Sequence, residues 1–187
     1  MLKIAFDNIY KHPLKENHRF PMIKYELIPE QLLRENTCKE ENFFEPGEIN
    51  HLDILNVHDK IYYKKLINQD LSPKEARAIG FPMSEQLVKR EKKIVQGTIE
   101  GALYSLKYGI SMNIAGGTHH AFTNKGEAFC LLNDQAIAAK YLISKNYCSK
   151  ILILDLDVHQ GNGTAEIFNN NENVFTASFS WSKKLSF

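Results

Sequence analysis

Ser111-Met112-Asn113-Ile114-Ala115 and Lys150-Ile151-Leu152-Ile153-Leu154-Asp155-Leu156 decide the fold class of this chain. Both read as short strands, the second an apolar run rather than an alternating one, the pattern expected where helices cover both faces of a parallel sheet. Between them Asn133 can cap a helix that carries Ile137, Tyr141 and Leu142 to about Asn146. The pieces make a β-loop-α-β unit, which predicts two neighbouring strands in a mostly parallel α/β sheet flanked by helices.

The flanking sequence extends this pattern in both directions. Upstream, Ser84 can cap a long helix whose apolar stripe runs through Leu87, Val88, Ile94, Val95, Ile99, Ala102, Leu103 and Leu106 to a stop at Gly109. Glu48–Asn68 holds two short amphipathic helices around Val57 and His58, and Phe43–Pro46 reads as a short strand. From Pro21 a helical stripe of Met22, Tyr25, Leu27 or Ile28, and Leu32 or Leu33 must be kinked or broken at Pro29. Leu2–Phe6 is an opening strand. Downstream, Thr164–Asn169 suggests a short helix and Asn173–Phe179 a further strand. No repeat and no linker divides the chain, so residues 1–187 are read as one domain.

Composition limits the function classes. Lys+Arg 23 against Asp+Glu 22 leaves a formal charge of +1, too little field to hold nucleic acid or an anionic membrane by charge alone. Lys183 and Lys184 read as a solvated charge pair. Apolar runs such as Ile151–Leu154 are far short of the roughly 20 residues of a membrane span, and Asp7 interrupts any signal-peptide core. Cys38, Cys130 and Cys148 have unrelated spacings, which suits reduced thiols and a cytoplasmic protein, with Cys130 acting as a small buried apolar residue.

Ligands of an open α/β sheet bind beyond the carboxyl ends of its strands, and there the chain is unusually polar. One strand end reads Gly116-Gly117-Thr118-His119-His120; the other reads Asp155-Leu156-Asp157-Val158-His159-Gln160-Gly161-Asn162-Gly163. Asp155, Asp157 and His159 alternate, so an extended chain points all of them to one side. Carboxylates with an imidazole suit a divalent ion such as zinc, either as direct ligands or as groups that orient a ligand. Adjacent imidazoles can serve as general base and general acid if each has a different partner, and Asp155 and Asn162 are available. A carboxylate partner favours imidazolium and a neutral amide does not, which separates the two histidines in acidity. Gly116 and Gly117 would let this loop approach the other strand end. Taken alone, a His-His pair is usually a solvated loop feature, and an Asp-x-Asp is shared with phosphate and magnesium sites. Their conjunction at neighbouring strand ends favours an active site.

These motifs, with Ala128-Phe129-Cys130 leading to Asn133-Asp134, resemble the zinc-dependent histone deacetylase family. His18-Arg19-Phe20-Pro21-Met22 and Ile79-Gly80-Phe81-Pro82 are similar to landmarks of its bacterial and class IV-like branches, and the resemblance runs from about Leu2 to Phe175. It implies an arginase/deacetylase-like fold and hydrolysis of N-acetyl-lysine in protein or, as an alternative, deacetylation of small acetylated amines such as polyamines. It implies His119 and His120 as the tandem catalytic histidines, oriented by Asp155 and Asn162. It implies Asp157 and His159 as zinc ligands, Asp155 also as a ligand of a structural potassium ion, and Gly117, Phe129 and Arg19 as substrate-site residues, Phe129 walling the acyl-lysine channel and Arg19 near an inner cavity.

Ala128 stands where the family usually has glycine, which adds a methyl group beside the channel. The family's third zinc ligand, an aspartate, and its catalytic tyrosine have no counterpart before Phe187, and Ala177–Phe187 drifts from the pattern. The expectation is therefore a copy of the domain incomplete at its C-terminus, with an inactive fragment as a further alternative.

Overall fold

The computed structural model describes residues 1–181, so the Lys183–Lys184 pair lies outside the described residues. The first strand, β1 (Lys3–Ala5), is central in a parallel sheet between β2 (Phe43–Phe44) and β3 (Ser111–Asn113). A separate parallel pair joins β4 (Ile151–Asp155) to β5 (Val174–Ser178), with Ile153 opposite Thr176 and Asp155 opposite Ser178. Every pairing between these strands is parallel, as expected. The expected direct neighbourhood of β3 and β4 is not found: among the described residues they share no ladder.

What joins the two sheets is helix packing and a loop. Helix α5 (Glu85–Tyr108) covers β1 and β3 and packs on α6 (Asp134–Ser144). Its start is set by Ser84, whose hydroxyl accepts from Leu87 N–H, and its end by Gly109 at φ 85°. Leu87, Val88, Ile94, Val95 and Ile99 form the buried stripe, whereas Leu106 is exposed, so the stripe ends before the helix does. The helix reaches the sheet through Gly97: a Cβ there would stand 2.6 Å from the Tyr10 hydroxyl and 3.1 Å from the Ala5 Cβ.

Three further expectations change. Pro29 does not break α1 (Lys24–Arg34), because the buried stripe is Met22, Tyr25 and Pro29 itself, while Leu27 and Ile28 are exposed. Burial of the Pro29 ring offsets its missing N–H. As expected, Val57 and His58 lie between two short helices, α2 (His51–Leu55), capped by Asn50, and α3 (Lys60–Asn68), capped by Asp59. Helix α4 (Pro73–Ile79) lies outside the expected elements, although Ser72 and Glu75 form a reciprocal capping box that the Ser-Pro-Lys-Glu order announces. Finally, only one face of β4–β5 is covered. Ile153 and Val174 are buried, Ile153 bordering a hollow with Thr164 and Ala165 of α7 (Asn162–Ile167), but Leu152, Leu154 and Phe175 are exposed on the opposite face. Among the described residues no helix is long and apolar enough to cross a membrane.

Candidate active site

The loop after β3 holds the two histidines in place by a clamp on each side. Upstream, the buried Asp134 carboxylate accepts from Gly117 N–H at 3.2 Å, from Thr118 N–H at 2.8 Å, and from the hydroxyls of Thr98 and Thr118 at 2.7 and 2.6 Å. Downstream, the Asn133 side-chain amide donates to the Ala121 carbonyl at 3.1 Å, and His58 Nδ1 meets the Phe122 carbonyl at 3.0 Å. From the third side, Gly163 N–H donates to the His119 carbonyl at 2.9 Å. Asp134, Asn133 and His58 were not assigned these roles from sequence. The signal available was Asn133-Asp134 at a helix start, where a carboxylate can take backbone N–H groups.

The glycines act differently from expectation. Gly116, at φ 113°, lets the loop fold onto Asp134: a Cβ would stand 2.5 Å from its Oδ2. The close approach to the other strand end falls instead on Gly161, where a Cβ would collide with the Asp155 carboxylate and stand 3.5 Å from the His119 Cβ.

The residues brought together include His119, His120, Asp155, Asp157, His159 and Asn162. The ring centroids of His119 and His120 are 4.1 Å apart, and those of His120 and His159 are 5.9 Å apart. His119 Nδ1 is 2.6 Å from Asp155 Oδ2, and His120 Nδ1 is 2.7 Å from Asn162 Oδ1. Asn162 Oδ1 also accepts from Gly163 N–H at 2.9 Å, which fixes the amide with its oxygen toward the ring. Both Nδ1 atoms therefore carry a proton toward their partners, so Nε2 is the nitrogen of either ring left to exchange one. Burial lowers the pKa of His120 from its ordinary value, with His119 and His159 acting in the same direction and the Asn162 bond opposing. The low basicity of His120 thus comes from burial first, rather than from the amide partner.

Beyond Asp155 the chain leaves the strand, so simple alternation does not arrange the acidic residues. Asp155 Oδ1 accepts from Asp157 N–H at 3.0 Å, and Asp157 Oδ1 accepts from His159 N–H at 2.8 Å, two successive turns closed by side chains. They turn Asp155 toward His119 and leave Asp157 and His159 together, Asp157 Oδ1 lying 3.0 Å from His159 Nδ1 and 3.9 Å from His119 Nε2. Burial acts to raise Asp157, but the bonds from His159 and the nearby imidazoles prevail and hold its carboxyl below the ordinary range. Two tetrahedral zinc ligands at about 2.1 Å from the ion sit roughly 3.4 Å apart, close enough to the 3.0 Å here for this carboxylate–imidazole pair to share one cation. Among the described residues no group of three His, Cys, Asp or Glu side chains is placed to hold a metal.

A cavity of about 630 Å³ opens from these groups, with Gly117 and Phe129 in its lining. Phe129 lies 5.0 Å from both Phe20 and Phe81, ring centre to ring centre. Arg19 is exposed and stacks over Phe129 at 4.9 Å, so it belongs to the rim; the cations deeper in the molecule are the half-buried Lys24 and the buried Arg90. Asp155 also borders a hollow of about 140 Å³ with Thr176 and Ser178.

The α/β scaffold thus gathers paired histidines, each with its own partner, beside a carboxylate–imidazole pair. Solved structures share this fold: an HDAC homolog from Aquifex aeolicus has a TM-score of 0.82 and 25% identity, and covers 100% of this chain and 52% of its own. An HDAC homolog complexed with SAHA has a TM-score of 0.81 and 26% identity, again with 52% of its chain covered. Residues 18–187 match the histone deacetylase domain family, and the chain belongs to that family. The match continues through residues 177–187, against the expectation that Ala177–Phe187 drifts from the pattern. An uncharacterized protein of Picosynechococcus is 42% identical over 175 residues, with 94% of this chain and 58% of that protein covered. The acetoin utilization protein AcuC of Staphylococcus aureus is 28% identical, with 97% of this chain and 49% of that protein covered. The chain thus spans about half the length of these relatives.

Proposed function

We propose that residues 1–187 form part of a deacetylase domain whose reaction is zinc-dependent hydrolysis of N-acetyl-lysine. The observation that carries this reading is the pair of partnered histidines, His119 on Asp155 and His120 on Asn162, directed at the cavity that also receives Asp157 and His159. Asp157 and His159 would hold the zinc, which when bound supplies polarisation of the acetyl carbonyl and of water. His120, kept neutral by burial, is suited to take the proton of the attacking water at Nε2. The Asp155 carboxylate can compensate a proton arriving on His119, which suits that ring to protonate the leaving amine. Phe129 supplies an apolar wall for the lysine stem, and Gly117 and Arg19 lie on its path. A potassium ion would take oxygens beside Asp155, in the hollow shared with Thr176 and Ser178. Free Cys38, Cys130 and Cys148 support a reducing, cytoplasmic setting.

The test combines zinc titration with turnover of an acetyl-lysine peptide and of an acetylated polyamine. With two candidate ligands among the described residues, the 187-residue chain should bind zinc weakly and turn over little. In protein carrying the complete domain, Asp157→Ala should abolish zinc-dependent turnover while the fold persists. Unchanged hydrolysis by that variant, or by zinc-stripped protein, would refute the assignment. Preference for the polyamine would move the substrate class to small amines.

A further inference from the structure

His18 takes no part in the proton chemistry, yet both its ring nitrogens are engaged. Nε2 meets the Gly80 carbonyl at 3.0 Å, and Nδ1 meets the Phe20 amide N–H at 3.1 Å. An amide N–H only donates and a carbonyl only accepts, so Nδ1 is bare and Nε2 carries the proton. The ring is a neutral strut of one tautomer between segments far apart in sequence.

Gly80 ends α4 at φ 82°, and the carbonyls just before it grip another segment of the cavity wall. Ala128 N–H donates to the Ala78 carbonyl at 2.9 Å, and Phe129 N–H donates to the Ile79 carbonyl at 2.7 Å. These bonds hold Ala128 and Phe129 at φ 45° and 69°, a left-handed pair that side chains disfavour and that lasts only where neighbours enforce it. The end of α4 is therefore the common anchor of the Phe20 segment and the Phe129 turn. The His18 ring also stacks on Phe81 at 5.7 Å and meets Phe129 edge-on at 5.9 Å. There is little slack, since a Cβ on Gly80 would stand 3.1 Å from the Phe129 ring.

We propose that His18 is a positioning residue for the acyl-lysine channel, tying Phe20 to the end of α4 so that Phe129 is held as a rigid wall. The identity of the chain entering the channel rests on the deacetylase reading; the clamp itself rests on the contacts above. The wall is distant in role from the His119–His120 pair, so loosening it should weaken retention of the lysine stem without slowing hydrolysis of what is bound.

Three variants separate the bonds. His18→Phe keeps the ring and loses both, His18→Asn can still accept from Phe20, and His18→Gln can still donate to Gly80. In protein carrying the complete domain, His18→Phe should raise KM for an acetyl-lysine peptide about tenfold, the worth of roughly one hydrogen bond, with kcat within about twofold. The Asn and Gln variants should each recover part of the loss. An unchanged KM, or a fall in kcat at constant KM as expected from a smaller folded fraction, would overturn the proposal. Amide exchange in the 187-residue chain gives an independent readout: Phe20 and Phe129 should lose protection in His18→Phe while the interior of α5 keeps it. If the wild type turned over no acyl-lysine substrate, the deacetylase reading would fail, and unchanged Phe129 exchange would then dispose of the clamp as well.

Discussion

Lowering the pH should destabilise the protein through His58 in particular. Its side chain is almost fully buried, with Nδ1 3.0 Å from the Phe122 carbonyl, and Asn133 N–H donates to Nε2 at 2.9 Å. Since an N–H only donates, Nε2 is bare and the ring is neutral, so protonation must break the bond from Asn133. Burial lowers its pKa from 6.5 to about 4, against the opposing effect of the Phe122 and Thr123 carbonyls. The sign follows from linkage: a histidine depressed in the folded state contributes stability above pH 6.5 and loses it as pH falls toward 4. At about 1.4 kcal/mol for each pH unit, the full contribution is roughly 3 kcal/mol. Urea unfolding of the wild type and of His58→Gln between pH 8 and 4 provides the assay. At pH 8 the variant should be less stable by about 1–3 kcal/mol if its side chain fails to satisfy the Asn133 amide. The gap should close or invert by pH 4, because the variant has no proton to take up. Other titrating groups cancel in the difference, so parallel stability curves for the two proteins would refute the reasoning.

Other consequences follow from the same packing. Asp134→Ala should cost roughly 3 kcal/mol or more in denaturant unfolding, since it strands the Gly117 and Thr118 amides that the carboxylate holds; a loss below about 1 kcal/mol would contradict the clamp. Ile153→Ala should cost about 2–5 kcal/mol, whereas Phe175→Ser, on the exposed face of the same strand pair, should stay within about 0.5 kcal/mol; equal losses would mean that both faces are covered. Ala128→Gly should stabilise the protein by about 0.5 kcal/mol, because relief at φ 45° exceeds the added freedom of the unfolded chain, and a clear fall in melting temperature would argue against strain there.

Local patterns were legible wherever a short-range rule decided the outcome. Ser84 and Gly109 mark the ends of α5, Asn133 caps α6, and the stretches Ser111–Ala115 and Lys150–Leu156 contain β3 and β4, because capping and strand preference depend on near neighbours. The chemical identity of the candidate site was equally local, since His119-His120 and Asp155-Leu156-Asp157-Val158-His159 are contiguous motifs. Which groups face one another was decided by tertiary structure. The β3 and β4 ends meet without a shared ladder, through a loop gripped by Asp134, Asn133 and His58, none of which is close in sequence to the residues it positions. Covering of a strand face also depends on distant packing, and so the apolar run of β4 could not reveal that Ile153 is buried while Leu152 and Leu154 are exposed. The same holds for Asp157 and His159: two side-chain-closed turns after Asp155, rather than strand alternation, place them side by side, because their geometry follows hydrogen bonds formed only in the folded chain.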